Sequence, residues 1–211
     1  MRIEEKIQQR GIEEVLHFTT SNGMLGILST AKLLAHSLLP KEKLLSHIIQ
    51  MNCSDRSRDT EWHSYINLSV SRLNGSFFNI SQGWHRSEDI FWCVLSFNPE
   101  IMSHEGVLFS TTNNAYPKTE RAPDAAGLDA LFAPSIRQFP TKWVSRTKAL
   151  PDSYTTCHQA EVLYPNELSL IHLSKIYVQT VEHQDEVSAL IDLLRPEFEL
   201  SIQVLVAPQL F

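Results

Sequence analysis

Glycine is scarce in this chain, seven among 211 residues. That leaves little room for a glycine-rich loop that cradles a nucleotide phosphate, and no such motif is present. Cysteine is scarcer still: Cys53, Cys93 and Cys157 are odd in number and scattered. Such usage suits a reducing compartment better than a disulfide framework. No apolar run approaches the roughly 18 residues that a membrane span needs. The start, Met1-Arg2-Ile3-Glu4-Glu5-Lys6, is acidic and amphipathic, unlike a secretory leader, so a cytoplasmic protein is expected. Histidine pairs at i, i+4 and cysteine pairs with zinc spacing are missing, which argues against a metal site. Cys157 has no activating glycine turn beside it and reads as a small buried hydrophobe before it reads as a nucleophile. Positive charge is also short. A net charge of −6 argues against a protein that coats nucleic acid indiscriminately.

What is present is an ordinary globular composition, 43% apolar and 20% charged, long enough to bury a substantial core. The charge is uneven. Residues 133–158 hold Arg137, Lys142, Arg146 and Lys148 against one acid, Asp152, with Phe139, Trp143 and Tyr154 interleaved. Cations mixed with stacking surfaces grip a single strand of nucleic acid. The alternative is a solvated surface loop.

Periodicity places the elements. Ile3 and Ile7 mark a short amphipathic helix over 2–10, ended near Gly11. A strand follows at 15–19, with Leu16 and Phe18 toward the core and His17 and Thr19 on the opposite side. Thr20, Ser21 or Asn22 can cap a helix striped by Met24, Leu25, Ile27 and Leu28. Further strands are expected at 33–37, 65–71, 90–97 and 106–109, with a helix from Pro40 through Ile49 and a polar loop at 52–61. A helical turn at 127–132, strands at 170–173, 176–180 and 200–206, and a helix at 185–195 complete the reading. No repeat or linker divides the chain, so one α+β domain over 1–211 is expected.

One stretch organises the rest: Cys157-His158-Gln159-Ala160-Glu161-Val162-Leu163-Tyr164. Strand alternation puts Ala160, Val162 and Tyr164 on one face and Gln159, Glu161 and Leu163 on the other. Leucine beside Glu161 implies a face covered by protein, where a carboxylate needs a partner. An edge-strand glutamate pointing at water is the competing reading. His17 has its own competing reading, a strand histidine bonded to a backbone carbonyl. Arg56 and Arg58 could pair with Asp55, Asp59 and Glu61, and Asn113 could be a turn residue.

Taken in order, these pieces resemble the DarT family, ADP-ribosyltransferases that modify bases in nucleic acid. The matching stretches are Gly11-Ile12, Leu16-His17-Phe18-Thr19, Asn22, Gly26-Ile27-Leu28, Asp55, Arg58-Asp59, Asn67-Leu68-Ser69-Val70, Asn74, Trp92-Cys93-Val94-Leu95, Leu108-Phe109, Thr112-Asn113-Asn114-Ala115 and Gln159-Ala160-Glu161-Val162-Leu163. They run over about 11–177. The resemblance implies an ADP-ribosyltransferase fold like that of poly-ADP-ribose polymerases, two facing, mostly antiparallel sheets with peripheral helices around an NAD cleft.

By the same resemblance His17 holds the nicotinamide ribose, with Thr19 beside it and Asn22 lining the NAD site. Arg58 reaches the NAD phosphates and the target base, Arg56 being the alternative if the loop is shifted by two. Glu161 is the catalytic glutamate. The basic loop, with Arg137, Lys142, Trp143, Arg146 and Lys148, grips the substrate strand. NAD is a co-substrate and no metal is needed. The family usually has two alanines after the Thr-Asn pair, and Asn114-Ala115-Tyr116 departs from that.

The expected function is transfer of ADP-ribose to a base of single-stranded DNA, with RNA the alternative target. Asn67-Leu68-Ser69-Val70 with Asn74 lies closer to the guanine branch than to the thymine branch. Such an enzyme would be a toxin or antiviral effector neutralised by an antitoxin, often a macrodomain protein that removes ADP-ribose. A reading from a different class is a catalytically silent nucleic-acid-binding module of the same fold.

Overall fold

Ile3 and Ile7, one helical turn apart, seat α1 (Ile3–Arg10) against the core. The Arg2 N–H donates to Glu5 Oε2 at 3.0 Å at its start, and Gly11 ends it in the left-handed region at φ 62°. The structure, a computed structural model, describes residues 2–39, 60–86, 89–117, 119–139, 141–198 and 201–211. The helix expected from Pro40, most of the loop expected at 52–61, Cys53, and both Arg56 and Arg58 lie outside the described residues.

The elements after α1 are β1 (Val15–Thr20), α2 (Ser21–Thr30), β2 (Lys32–Leu34), β3 (Tyr65–Val70), α3 (Gly75–Trp84) and β4 (Trp92–Phe97). Then come β5 (Leu108–Ser110), β6 (Arg121–Ala122), α4 (Asp124–Ala130), β7 (Ser135–Phe139), β8 (Lys142–Ser145) and β9 (Glu161–Pro165). β10 (Glu167–Ser169), β11 (Leu173–Val178), α5 (Val181–Leu194) and β12 (Gln203–Val206) follow. Among the described residues no helix is long and apolar enough to cross a membrane.

Eight strands form one sheet in the order β12-β11-β4-β1-β3-β9-β5-β6, antiparallel except for β11 with β12. The join at its centre is short. β1 meets β3 only at Val15 with Val70 and Leu16 with Ser69, whereas β1 pairs with β4 along its whole length. Beyond Leu16 the two strands part, so the sheet is two half-sheets sharing a two-rung seam. The α+β class and the mostly antiparallel pairing stand as expected.

Each half is apolar on the side that meets helices. Val15, Leu95, Phe97, Leu68, Val162 and Ile176 join Met24 and Leu28 of α2 and Leu128 of α4 in the main core. Burying each such side chain stabilises the fold by about 1.5–3 kcal/mol. Leu16 and Phe18 do turn to a core, but to a smaller one with Phe78 and Val94 on the opposite face. Both faces of β1 are therefore covered.

Three local differences from the sequence reading stand out. α3 lies in a stretch for which the pattern predicts no element, because Gly75, Gly83, asparagine and serines are weak helix formers. Asn74 caps it, accepting the Phe77 N–H at 3.2 Å, and buried Phe78 anchors it. Residues 170–172 form a 3-10 turn between β10 and β11, not a strand. The segment read as a basic loop contains the β7–β8 hairpin.

Candidate active site

Glu161 opens β9 with only 6% exposure, and Leu163 on the same face is fully buried, so the covered-face reading holds over the solvent-facing one. β9 lies between β3 and β5, with Leu68 opposite Val162 and Ser110 opposite Glu161. The carboxylate is held by backbone. The Asn114 N–H donates to Glu161 Oε2 at 2.6 Å. A hydrogen bond to the charged form favours it and fixes its direction.

That amide belongs to a turn built from its own side chains. Asn113 Oδ1 accepts the Ala115 N–H at 2.8 Å, and Thr119 Oγ1 donates to the Asn113 carbonyl at 3.1 Å. Asn113 is thus a turn residue. Arg121 closes the turn from behind: Nη2 donates to the Asn114 carbonyl at 2.6 Å, Nη1 to the Thr119 carbonyl at 3.1 Å, and Nε to Asn114 Oδ1. Its guanidinium also lies 4.6 Å from the Trp62 ring centroid. Burial pulls the Arg121 pKa below its ordinary value, while Glu161 and Glu61 pull it back up. No motif in Thr119-Glu120-Arg121 signals this role. It exists only in three dimensions.

His17 sits just past the seam. Its Nδ1 lies 3.1 Å from the Asn67 carbonyl oxygen, so the bond to a backbone carbonyl weighed from the sequence is present. A carbonyl only accepts, hence Nδ1 carries the proton, and Nε2 of the neutral ring is an acceptor. Leu16 pairs with Ser69 and Leu68 with Val162, which leaves His17 and Glu161 on strands separated by β3 alone. Thr19 is buried farther along β1, and Asn22 is exposed on the first turn of α2, where Thr20 is the residue that caps.

The basic segment sorts into two groups. Arg137 pairs with Trp143 across the β7–β8 hairpin, and Lys142 pairs with Phe139. Arg137, Phe139, Lys142 and Trp143 are all on the exposed surface, Trp143 at 62%. Lys148 is exposed in a later turn. Arg146 is spent on structure, donating to the Tyr154 carbonyl at 2.6 Å and the Pro151 carbonyl at 2.8 Å. The hairpin is tied at two points to the segments that carry and aim the glutamate. Gln138 Nε2 donates to Gln159 Oε1 at 2.6 Å, and Phe139 lies 4.4 Å from the ring of Tyr116, on the Asn114 turn.

Comparison with known proteins adds an independent line. A family model described as "ssDNA thymidine ADP-ribosyltransferase, DarT" matches residues 16–211. The solved structure of Thermus sp. 2.9 DarT in complex with carba-NAD+ is similar with a TM-score of 0.66 at 16% identity, covering 94% of this chain and 97% of that one. The same Thermus protein in complex with ADP-ribosylated ssDNA gives a TM-score of 0.67 at 14% identity, covering 95% and 97%. Thermosipho africanus DarTG in complex with ADP-ribose gives 0.57 at 14% identity, covering 95% of this chain and 51% of that one. No curated relative matches.

Proposed function

The chain belongs to the DarT family, and we propose that it transfers the ADP-ribose of NAD to a base of single-stranded DNA. The observation that carries this reading is the buried Glu161 carboxylate, aimed by the Asn114 amide, inside the matched residues. The silent-module reading explains neither its burial nor its fixed direction.

In the reaction the bond between nicotinamide and the ribose C1′ breaks, and its electron pair leaves with nicotinamide. The sugar left behind is oxocarbenium-like, and a carboxylate held beside it stabilises the developing charge. A nitrogen of the base then bonds to C1′, and Glu161 takes the proton that it releases. His17, an acceptor at Nε2, and the Thr19 hydroxyl suit the hydroxyl groups of the nicotinamide ribose. Asn22 lines the same side. Arg58, with Arg56 as the alternative, supplies the two parallel hydrogen bonds that fix the pyrophosphate and meets the target base. A base nitrogen is a weak nucleophile, so holding an unpaired base in place supplies much of the rate. Arg137, Lys142, Trp143 and Lys148 grip the strand; Arg146 supports their segment from below.

Guanine is the base to test first, from the β3 sequence Asn67-Leu68-Ser69-Val70, although Asn74 is accounted for by its capping bond. Thymine, the base of the thymidine in the family description, is the second reading. Labelled NAD incubated with single-stranded DNA, RNA and protein, followed by mass spectrometry of the modified nucleotide, tests both. Label on RNA alone rejects the DNA reading, and no label anywhere restores the binding module.

The biological role proposed with this activity is that of a cytoplasmic toxin or antiviral effector. Its neutralising partner would be a macrodomain protein that removes the ADP-ribose. Growth arrest on expression, relieved by the Glu161→Ala substitution and by co-expression of such a hydrolase, is the corresponding test.

A further inference from the structure

None of the roles above uses Arg72, on the link between β3 and α3. Its Nη2 donates to the Thr155 carbonyl at 2.9 Å, and its guanidinium lies 5.1 Å from the Tyr154 ring centroid. The side chain thus reaches across to the segment that leads into Glu161. Three polar atoms of this short link are buried without a partner among the described residues: Ser71 Oγ, Arg72 Nε and Asn74 Nδ2. Asn74 is 3% exposed and spends its Oδ1 on the Phe77 N–H, leaving the amide nitrogen as an unused donor. Ser71 holds φ 58°, a left-handed conformation that serine adopts at a cost.

Among the described residues no carboxylate acts on Arg72. The charged and titratable groups acting on Arg72 are Tyr154, Cys157 and Arg146, and burial pulls its pKa below the ordinary value. His158 stands at the same place, its Nε2 3.0 Å from Ser76 Oγ on the first turn of α3. Burial first, then Arg72 and Lys142, hold the His158 pKa below its ordinary value. Asp152, the acid of this segment, is on the solvent side of Arg146. A half-buried guanidinium with no carboxylate against it, beside unused donors and the positive end of a helix, is an environment that lacks an anion.

We propose that Arg72, Asn74, Ser76 and His158 form a phosphate subsite that takes one backbone phosphodiester of the single strand. The inference rests on the DNA-modifying reading above and adds to it a fixed register of the strand. The groups facing Arg72 come from 142–158, the hairpin segment, and not from β1 and α2, the side assigned to NAD. The phosphate seated here is therefore the strand's and not the dinucleotide's.

The test scans single-stranded oligonucleotides that each carry one neutral methylphosphonate linkage, with binding read by fluorescence anisotropy. One linkage should weaken wild-type binding about tenfold and leave Arg72→Ala indifferent, and the salt slope of that variant should be shallower by about 0.7. Ser76→Asp, which leaves the Arg72–Thr155 bond in place, should lose the same sensitivity, so a folding defect in Arg72→Ala cannot mimic the result. Equal sensitivity at all linkages with an unchanged slope overturns the subsite. So does a fall in NAD affinity by calorimetry with DNA binding intact, which would give Arg72 to the pyrophosphate. Protein that transfers ADP-ribose to DNA without a sensitive linkage defeats the subsite alone. Protein that shows the linkage but transfers nothing defeats the enzymatic reading alone.

Discussion

The Asn114 amide meets Glu161 Oε2 at 2.6 Å, so the direction of the buried carboxylate is set by a turn on the neighbouring strand's continuation. Strand β9 supplies position, and the turn after β5 supplies aim. Glu161→Gln preserves the shape and can still accept the Asn114 N–H, but it carries no charge to oppose a developing cation. Transfer of label from NAD should fall by at least about a hundredfold, with circular dichroism unchanged. Undiminished transfer would move the chemistry to another carboxylate.

Arg121 ties the turn that aims Glu161, and its charge also acts on that carboxylate. Arg121→Ala should lower kcat about tenfold to a hundredfold with little change in KM for NAD, because misaiming a reacting group by about 1 Å is enough for that. Arg121→Lys should restore little of it, since a single ammonium nitrogen does not reproduce the planar fork whose three nitrogens meet both carbonyls and Asn114 Oδ1. A rise in KM with kcat intact would instead make Arg121 a ligand of NAD.

On the hairpin, charge and stacking are separable. Replacing Arg137 and Lys142 with serine should flatten the salt dependence of single-strand binding by about 1.4 in log–log slope. Trp143→Ala should weaken binding by about 1–3 kcal/mol and leave that slope unchanged. If the double serine variant keeps the wild-type slope, the strand runs elsewhere.

His104 reports on acid stability. Its Nδ1 lies 2.8 Å from the Tyr164 hydroxyl, and its ring centroid is 4.9 Å from that of His172. Burial first and His172 second hold its pKa below the ordinary histidine value, against a smaller opposing effect of Glu100. The unfolded chain therefore binds the proton more readily than the native one. The stabilisation from a neutral His104 is complete above about pH 6.5 and is lost as pH falls from there through the native value. Thermal melts should show a shallower acid decline for His104→Gln than for wild type; parallel curves would remove His104 from the account.

Gly127 has no room for a side chain. A Cβ there would stand 2.2 Å from the Ala122 carbonyl oxygen and 3.0 Å from Phe109 Cδ2. Gly127→Ala should cost about 1–3 kcal/mol in urea unfolding as α4 is pushed from β5 and β6.

Much of this was legible in the order of residues. Alternation in 157–164 placed Glu161 on a covered face because a leucine shared it, and the seat of the carboxylate bears that out. Thr20 was among the candidate caps, and it does accept the Gly23 N–H. α3 is not legible, since its weak helix formers are held by Phe78 packing on Leu16 and Phe18, a contact far apart along the chain. Arg121 was invisible for a related reason. Its three acceptors form only once the turn has folded, and a lone arginine between Glu120 and Ala122 carries no periodic signal. The two carbonyls that Arg146 bonds are not legible either, because composition cannot tell a cation facing solvent from one tied to backbone.

The two-rung seam has a further consequence. Pairing between β1 and β3 stops at Leu16 and Ser69, and His17 bridges to Asn67 just past that stop. A third rung would zip β3 across His17 and narrow the opening; losing one would widen it from the base. On the NAD-binding reading proposed above, what fits between the half-sheets can thus be retuned by moving the end of a short zipper, with every residue that would touch the dinucleotide left as it is.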